Sequence, residues 1–343
     1  MNKNFNFNKH AYRGGDMESK KSRFNSNKKI VLSLAAISFL ASCTHATLTP
    51  EIKTYEETNR HAKARSGIRS RSADNDTIND SQNKQITITG SGEKSLTIEE
   101  AGTLTHRDKV IYVNGQNSDT LTLTNLTNKG TINGKVAVEN KNNSFKGTIT
   151  VNTFENTKQI NGNIYMGVWG KSQGTINVDN FNNSGTITAS NGQGVFFEGK
   201  NTNIKTFNNN GTITASNGQG VYFKGNGNVE TFNNNGTITA KSEGINLSGI
   251  SNIDSFTNSG LISANRAIFA STSGSNNLTI KNLSNSGTIN GRVAIENSNG
   301  FTGTITVNTF ENTKQINGQI YMGVWGNNLG TLNVENFKNS GTI

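Results

Sequence analysis

The 343-residue chain has a single cysteine, Cys43, and this excludes a fold held together by disulfide bonds. Histidine is nearly as rare, since His106 is the only one between residues 86 and 343. One imidazole without a second ligand is a poor metal site. The same stretch has few aspartates, namely Asp108, Asp119, Asp179 and Asp254. Because glycosidases need two carboxylates close together, we expect no catalytic site, no cofactor and no metal.

Charge of one sign is also scarce in this stretch. Residues 86–343 contain 18 Lys and Arg against 15 Asp and Glu, so most of the chain's net charge of +10 lies nearer the N-terminus. A nucleic-acid-binding surface needs a clustered excess of cations. The balance therefore indicates that nucleic acid is not a partner.

Apolar residues make up 31% of the chain, and residues 30–40 form a conspicuous apolar run, IVLSLAAISFL. This run of 11 residues is too short to span a membrane, and it follows a basic segment that contains Lys20, Lys21 and Arg23. A basic segment followed by a short apolar run is typical of a secretory signal. We interpret residues 1–43 as a signal peptide, starting at Met1 or Met17, and expect export through the inner membrane.

The end of this signal contains the chain's cysteine. The sequence Leu40-Ala41-Ser42-Cys43 resembles a bacterial lipobox, in which the cysteine is lipidated and becomes the mature N-terminus. That reading predicts a membrane anchor at Cys43. The alternative is ordinary cleavage nearby, for example after Ala46. Residues 44–85 mix charges of both signs without an apolar period, and we interpret them as a flexible charged linker.

Residues 86–343 repeat one frame every 24 to 28 residues. With Gly211 of FNNNGTI as position zero, Phe or Leu stands at −4, Val, Ile or Leu at −7, and Ile at +2 in nine copies. Position −2 is asparagine in every copy: Asn128, Asn156, Asn183, Asn209, Asn234, Asn258, Asn285, Asn312 and Asn339. Fixed-period repetition of this length is typical of a solenoid, in which each repeat contributes a share of one continuous core.

The pattern within each repeat predicts three short β-strands per turn. Strands stacked turn on turn make an all-β, parallel β-helix of about 9–10 coils, most simply right-handed because strand crossovers have that hand. The frame predicts a bend between −7 and −4, a corner with positive φ at the glycine, and a stacked asparagine ladder at −2. Position −6, occupied by Asp179, Lys205, Glu230 and Asp254 in four successive copies, is expected to face solvent. A degenerate first turn, with Ile98 at −4 and Gly102 at zero, follows a strand at residues 85–89.

A longer duplication overlies the repeats. TVNTFENTKQING at 150–162 recurs at 306–318, and YMGVWG at 165–170 recurs at 321–326. The second motif places two aromatic residues in each copy, Tyr165 and Trp169, then Tyr321 and Trp325. These four residues are either structural caps over a corner or a repeated binding patch of exposed aromatic rings.

The signal with its lipobox, the charged linker and the NNSGTITAS-type coils together resemble the passenger domains of bacterial autotransporter adhesins. The resemblance is closest to the Campylobacter-type lipoprotein autotransporters. It implies display at the cell surface, attachment to a host-cell protein or glycan, and export through a C-terminal β-barrel that these 343 residues do not contain. Membrane attachment would then come from the lipid or from the missing barrel, and without the barrel the product would remain periplasmic or lipid-anchored.

We therefore expect a non-enzymatic adhesin whose β-helical rod displays binding loops. Two alternatives stay open. One is a β-helical polysaccharide-degrading enzyme, since some β-helices have that activity. The other is a non-functional truncated product of a longer gene.

Overall fold

The computed structural model describes residues 71–72, 75–115, 120–169, 172–297, 300–324 and 329–343. The predicted signal peptide with Cys43, most of the predicted linker, and Trp325 lie outside these residues. The described residues contain 28 β-strands and no helix. They therefore contain no helix with the length and apolarity needed to cross a membrane.

The strands lie in two parallel sheets, one of 17 strands and one of 11. The strands up to residue 140 are β1 (Arg71–Ser72), β2 (Asn75–Ile78), β3 (Ser81–Gln82), β4 (Ile86–Thr89), β5 (Gly92–Ile98), β6 (Thr103–Asn114), β7 (Thr120–Asn128) and β8 (Thr131–Asn140). The middle strands are β9 (Thr148–Asn156), β10 (Gln159–Asn161), β11 (Ile164–Val168), β12 (Thr175–Asn183), β13 (Thr186–Ala189), β14 (Val195–Glu198), β15 (Asn201–Asn209), β16 (Thr212–Ala215), β17 (Val221–Lys224), β18 (Gly227–Asn234), β19 (Thr237–Ala240) and β20 (Glu243–Asn246). The remaining strands are β21 (Asn252–Asn258), β22 (Leu261–Thr272), β23 (Leu278–Asn285), β24 (Thr288–Asn297), β25 (Thr304–Asn312), β26 (Gln315–Asn317), β27 (Ile320–Gly323) and β28 (Thr331–Asn339).

Each coil has one long strand in the smaller sheet and then crosses to the larger sheet. Four successive coils from β9 to β20 have three strands each, as predicted. The coils of β2 to β4 and of β25 to β27 also have three strands. In four other coils the prediction is wrong, because β6, β8, β22 and β24 each run through the second corner without interruption. All the strand pairs of the two sheets are parallel and join equivalent positions of successive coils, for example Ile187 with Ile213 and Phe181 with Phe207. The parallel β-helix fold is thus confirmed.

The predicted bend between positions −7 and −4 is present as a change of phase. In β15 the buried residues are Thr202 and Ile204, then Phe207 and Asn209, so the alternation of faces shifts by one residue at Lys205 and Thr206. The residue pairing between β12 and β15 likewise omits position −6. A strand that is straight must alternate with period two, so the shift lets both Ile204 and Phe207 face the core.

The core consists of stacked columns of apolar side chains. The isoleucines at +2 are buried in every coil that has another coil on each side, from Ile132 to Ile316. At position −4, Phe207 lies between two rings whose centroids are each 4.7 Å away, with planes within 6° of parallel. Phe197 and Phe223 form a second stack, 5.0 Å apart, and meet Phe207 edge-on. Offset-stacked and edge-on rings are the favourable arrangements for aromatic packing.

The asparagine ladder at −2 is confirmed along its full length. Each side-chain amide, from Asn128 to Asn312, donates to the Oδ1 of the next asparagine at 2.7–2.8 Å. The same amide also donates to the backbone carbonyl at position +1 of the next coil, at 3.1–3.4 Å. The inner members are fully buried, and such groups need these partners because an unpaired amide inside a protein is costly.

The expected positive φ at the column glycine is wrong. Gly185, Gly211 and Gly236 are not among the glycines with positive φ. Glycine is favoured at this position for a steric reason, because a Cβ on Gly211 would lie 2.0 Å from the carbonyl oxygen of Gly185 in the neighbouring coil. The tight stacking of corners, rather than a left-handed backbone, is what favours glycine there.

The first coils also differ from the prediction. Residues 71–82, assigned to the linker, contain β1 to β3, and β2 pairs with β5 from Asn75 to Ile78, so the stacked strands begin before residue 86. Gly102 does lie in register with Gly130, but Leu96 rather than Ile98 pairs with Leu126. Ile98 pairs with Asn128 because the turn after β5 is longer. The ladder therefore begins at Asn128.

Position −6 is exposed or half-buried, as predicted. Lys205 forms an ion pair with Asp179 at 2.8 Å, and Lys281 forms one with Asp254 at 2.8 Å. Each pair joins successive coils. Both carboxylates lie on the outside of the smaller sheet, and exposed pairs of this kind contribute little to stability.

Candidate functional site

A row of aromatic rings runs along the outside of the larger sheet. In β14, Val195 and Phe197 are buried while Phe196 and Glu198 point outward, because strand residues alternate faces. Strand pairing places one residue of each neighbouring coil at the same outward position as Phe196. We call the rings at this position the outer aromatic column: Tyr112, Tyr165, Phe196, Tyr222, Phe269 and Tyr321. Ala137, Asn246 and Ala294 occupy the same position in the coils between them.

The rings are in contact over three successive coils. Tyr165 lies 5.2 Å from Phe196 in an edge-on arrangement, and Phe196 stacks on Tyr222 at 4.9 Å with an interplanar angle of 4°. Trp169, just beyond the end of β11, packs against Tyr165 at 5.3 Å. The column is therefore a continuous aromatic surface in this part of the rod.

The tyrosines of the two YMGVWG copies, Tyr165 and Tyr321, belong to this column. Tyr165 is only 1% exposed, so it is not the exposed ring that the binding-patch interpretation requires. Its burial favours the cap interpretation for that residue, whereas Trp169 and Tyr321 are half-buried and keep part of their surface accessible. Trp325 lies outside the described residues.

Cations stand over the rings of the column. The ammonium of Lys109 is 3.9 Å from the ring centre of Tyr112, that of Lys135 is 4.8 Å from Tyr165, and that of Lys141 is 4.7 Å from Trp169. The guanidinium of Arg266 lies 3.8 Å from the ring centre of Phe269. All four distances are within the range of favourable cation–π contacts. The aromatic surface is thus also a basic one.

Glu139 is the buried carboxylate of this cluster. It points outward on β8, has no exposed side-chain surface, and forms an ion pair with Lys109; Lys141 is 3.8 Å from Oε1 of the same carboxylate. Its Oε2 is buried without a hydrogen-bond partner among the described residues. Burial lowers the pKa of the Lys135 ammonium, and the charge on Glu139 opposes that shift.

The hydroxyl of Tyr165 donates to Oε2 of Glu198 at 3.2 Å. Burial, together with the negative charge of Glu198, raises the pKa of Tyr165 far above its usual range. The phenol therefore stays protonated and remains a hydrogen-bond donor. Lys224 forms an ion pair with Glu198 at 2.8 Å on the other side.

Two open grooves border the column. One, of about 590 Å³, is lined by Arg107, Asp108, Lys135, Asn161, Asn163 and other polar residues. The other, of about 340 Å³, lies beside Tyr222 and is lined largely by hydroxyl and amide side chains, including Ser248, Ser271 and Asn276. Rings that offer a flat apolar face, next to amides, hydroxyls and charges of both signs, suit a polar ligand that also has apolar faces, as sugars do.

The described residues contain no group of three or more His, Cys, Asp or Glu side chains that could hold a metal ion. Asp179 and Asp254 each form an ion pair with a lysine of their own, smaller sheet, away from the outer aromatic column. No protein-family model, curated protein or solved structure matches the chain.

The sequence prediction did not single out the charged members of the site, which are Lys109, Lys135, Lys141, Glu139 and Arg266. A signal for them was present. KVIYVN at 109–114 and TINGKVAVEN at 131–140 correspond to RAIFAS at 266–271 and TINGRVAIEN at 288–297, both 157 residues later. These copies differ in several residues and are less obvious than the identical repeats.

Proposed function

We propose that this protein is a non-enzymatic adhesin passenger whose β-helical rod presents a binding surface to glycans or to proteins of a host cell. The observation that carries the proposal is the outer aromatic column with its cations and its two polar grooves. A surface of this kind is not needed to hold the coils together, because the inward stacks and the asparagine ladder already fill the core. Large partly apolar patches outside a core are typical of interaction sites.

The length of the β-helical rod supports a binding surface that extends over several coils rather than a single binding pocket. Coils stacked about 4.8 Å apart give the nine regular coils a length of roughly 40 Å. The outer aromatic column runs along this length, so a ligand can contact residues of several coils. Both grooves are open to solvent, which suits an extended chain better than a small enclosed substrate.

The test is a binding and turnover experiment with the purified 343-residue protein. It would be applied to a panel of immobilised host glycans and to intact host cells, and the soluble forms of the bound glycans would be incubated with it and sized. We expect binding without a change in chain length. Shortening of any glycan would support the alternative of a polysaccharide-degrading enzyme, and the absence of binding to both cells and panel would refute the adhesin.

Attachment to the bacterial membrane through Cys43 is a second part of the proposal, supported by the lipobox-like sequence at residues 40–43. Metabolic labelling with a radioactive fatty acid should label the wild-type protein and leave Cys43→Ala unlabelled. A Cys43→Ala protein that stays in the membrane fraction and keeps the label would contradict the anchor.

A further inference from the structure

The outer face of the rod carries one arrangement of side chains twice. Each copy has two cations, one carboxylate and two aromatic rings. We define the lower site as Lys109, Tyr112, Lys135, Glu139 and Tyr165. The upper site consists of the residues 156 or 157 positions later, which are Arg266, Phe269, Arg292, Glu296 and Tyr321.

The two sites share their geometry. In the lower site Lys109 lies over the ring of Tyr112 and pairs with Glu139. In the upper site Arg266 lies over the ring of Phe269, and its Nη1 is 3.8 Å from Oε1 of Glu296. The strand register is the same in both, since Lys109 pairs with Lys135 and Arg266 pairs with Arg292.

The two sites lie within the longer duplication, and their core is only partly altered between the copies. Val110 and Val113 correspond to the smaller Ala267 and Ala270, while Ile111 and Val136 correspond to residues of the same type, Ile268 and Val293. The outward residues keep their chemistry, with Lys replaced by Arg and Tyr by Phe. In the coils between the sites, strand pairing places Val195 and Val221 at the position of Val136. The residues that precede these valines, Gly194 and Gly220, therefore occupy the position of Lys135, and no cation stands there. Lys224, which pairs with Glu198, is an outward cation between the sites, but it stands at a different position of the coil.

The sites lie on one column and six coils apart, from Tyr112 to Phe269. At about 4.8 Å per coil this is roughly 29 Å along the rod. Phe196 and Tyr222 stack between them and extend the aromatic surface. One extended chain lying along the column would therefore reach both sites.

Charge indicates the class of chain. With Lys141, the lower site has three cations against the one carboxylate of Glu139. In the upper site the two arginines face two carboxylates, Glu296 and Glu243. The excess positive charge that favours a negatively charged ligand therefore lies at the lower site. A phosphate backbone carries a much denser row of charges than the widely spaced cations of the two sites can match. A saccharide can place its apolar face on the half-buried rings of Tyr112 and Phe269 and its carboxylate near a cation. Tyr165 and Glu139 are buried and position the lysines of the lower site.

We propose that the lower and upper sites together bind a single chain of a carboxylate-bearing polysaccharide, an inference that rests on the proposed adhesin function. Two weak sites on one rigid rod bind a polymer much more tightly than either binds a short fragment, because the second contact is intramolecular. The lower site, which also has Lys141, is expected to contribute more than the upper site, where Glu243 reduces the positive charge.

The experiment uses the 343-residue protein and hyaluronan, a linear glycan with a carboxylate on every second sugar. Affinities for long-chain hyaluronan and for its tetrasaccharide are measured by biolayer interferometry and calorimetry, with dextran and duplex DNA as neutral and phosphate-bearing polymers. The lower-site variant is Tyr112→Ala with Lys135→Gln, and the upper-site variant is Phe269→Ala with Arg292→Gln. The matched control removes two cations from the opposite sheet, Lys205→Gln with Lys281→Gln. Circular dichroism melts of each variant verify folding.

We expect the wild-type protein and the control to bind the long chain about 100-fold more tightly than the tetrasaccharide. Each single-site variant should lose most of that excess, and the four-substitution variant should lose binding. Affinity that does not depend on chain length, single-site variants that match the control, or equal binding of DNA would overturn the proposal. Binding of neutral glycans alone would overturn it while leaving the adhesin in place, whereas a protein that binds no glycan and no cell refutes both.

Discussion

Replacement of Asn209 by alanine tests the asparagine ladder most sharply. Asn209 is fully buried, accepts a bond from Asn183 at 2.7 Å and donates to Oδ1 of Asn234 at 2.7 Å. Its amide also donates to the carbonyls of Gly211 and Thr237, each at 3.3 Å. Alanine removes all of these bonds at once, and it leaves Oδ1 of Asn234 buried without its donor.

The size of the effect follows from these contacts. The two short side-chain bonds contribute about 1 kcal/mol each, and an unsatisfied buried acceptor costs about 1–3 kcal/mol more. We therefore expect Asn209→Ala to lower the free energy of unfolding by about 3–5 kcal/mol. Guanidinium unfolding followed by circular dichroism measures this value, provided that the slope with denaturant is unchanged. Hydrogen exchange should show the loss concentrated in the neighbouring coils, since solenoid repeats contact only their neighbours.

Two variants serve as controls. Asn208→Ala removes bonds of a half-buried asparagine to Asn182 and Asn233, both at 2.9 Å, on the outside of the same strand. Asn339→Ala removes the outermost ladder residue, which is exposed. Both should cost about 1 kcal/mol or less, because water replaces the lost partners. An Asn209→Ala protein within 0.5 kcal/mol of these controls, roughly a measurement's scatter, would refute the structural role assigned to the ladder.

Three other predictions follow from the packing and the charges. Phe207→Ala should lower the free energy of unfolding by about 3–5 kcal/mol through the cavity it leaves in the ring stack, and Tyr222→Ala on the outer column should cost clearly less; denaturant titration compares them. Gly236→Ala should destabilise by about 1–3 kcal/mol because its Cβ would lie 2.0 Å from a carbonyl oxygen, and an unchanged unfolding midpoint would contradict that contact. A hydrogen bond from Lys281, and a lesser one from Asn252, lower the pKa of Asp254. These bonds stabilise the folded protein at pH values above the usual Asp range, and this stabilisation is lost as the pH falls through the lowered pKa. NMR titration should find a higher pKa for Asp254 in Lys281→Gln than in the wild-type protein.

Much of the fold could be predicted from the sequence because the same types of residue recur at the same positions in nine copies of the repeat. Asparagine at −2 and isoleucine at +2 lie in the core, where each residue must fit its copies above and below, so both positions hold the same residue in all nine copies. The phase shift at Lys205 was predictable for the same reason. Ile204 and Phe207 are both apolar at a spacing that a straight strand cannot bury.

The details of the corners could not be predicted in the same way. The glycine at Gly211 suggested a positive φ, but what requires it is the carbonyl of Gly185 in another coil, a contact invisible in one copy of the repeat. The early strands at residues 71–82 lack the apolar period because they are short and edge-exposed. Their pairing with β4 to β6 is a tertiary effect.

The outer site was only partly predictable. The YMGVWG repeats pointed to Tyr165 and Trp169, and the structure places Tyr165 in the outer aromatic column with Trp169 packed against it. The partners Lys109 and Glu139 come from other coils, 56 and 26 residues before Tyr165. Only the strand register brings them to one surface, and single-sequence patterns say nothing about which outward residues meet.

The most direct test of the proposed binding surface uses Trp169 as a reporter in a Trp325→Phe protein, where it is the only tryptophan. The protein is titrated with the glycan bound most tightly on the panel, and tryptophan emission is recorded. If the outer aromatic column is the binding surface, the emission of Trp169 shifts and saturates at the concentration where binding saturates. Saturable binding with an unchanged Trp169 spectrum, or a panel on which no glycan binds, would contradict that claim.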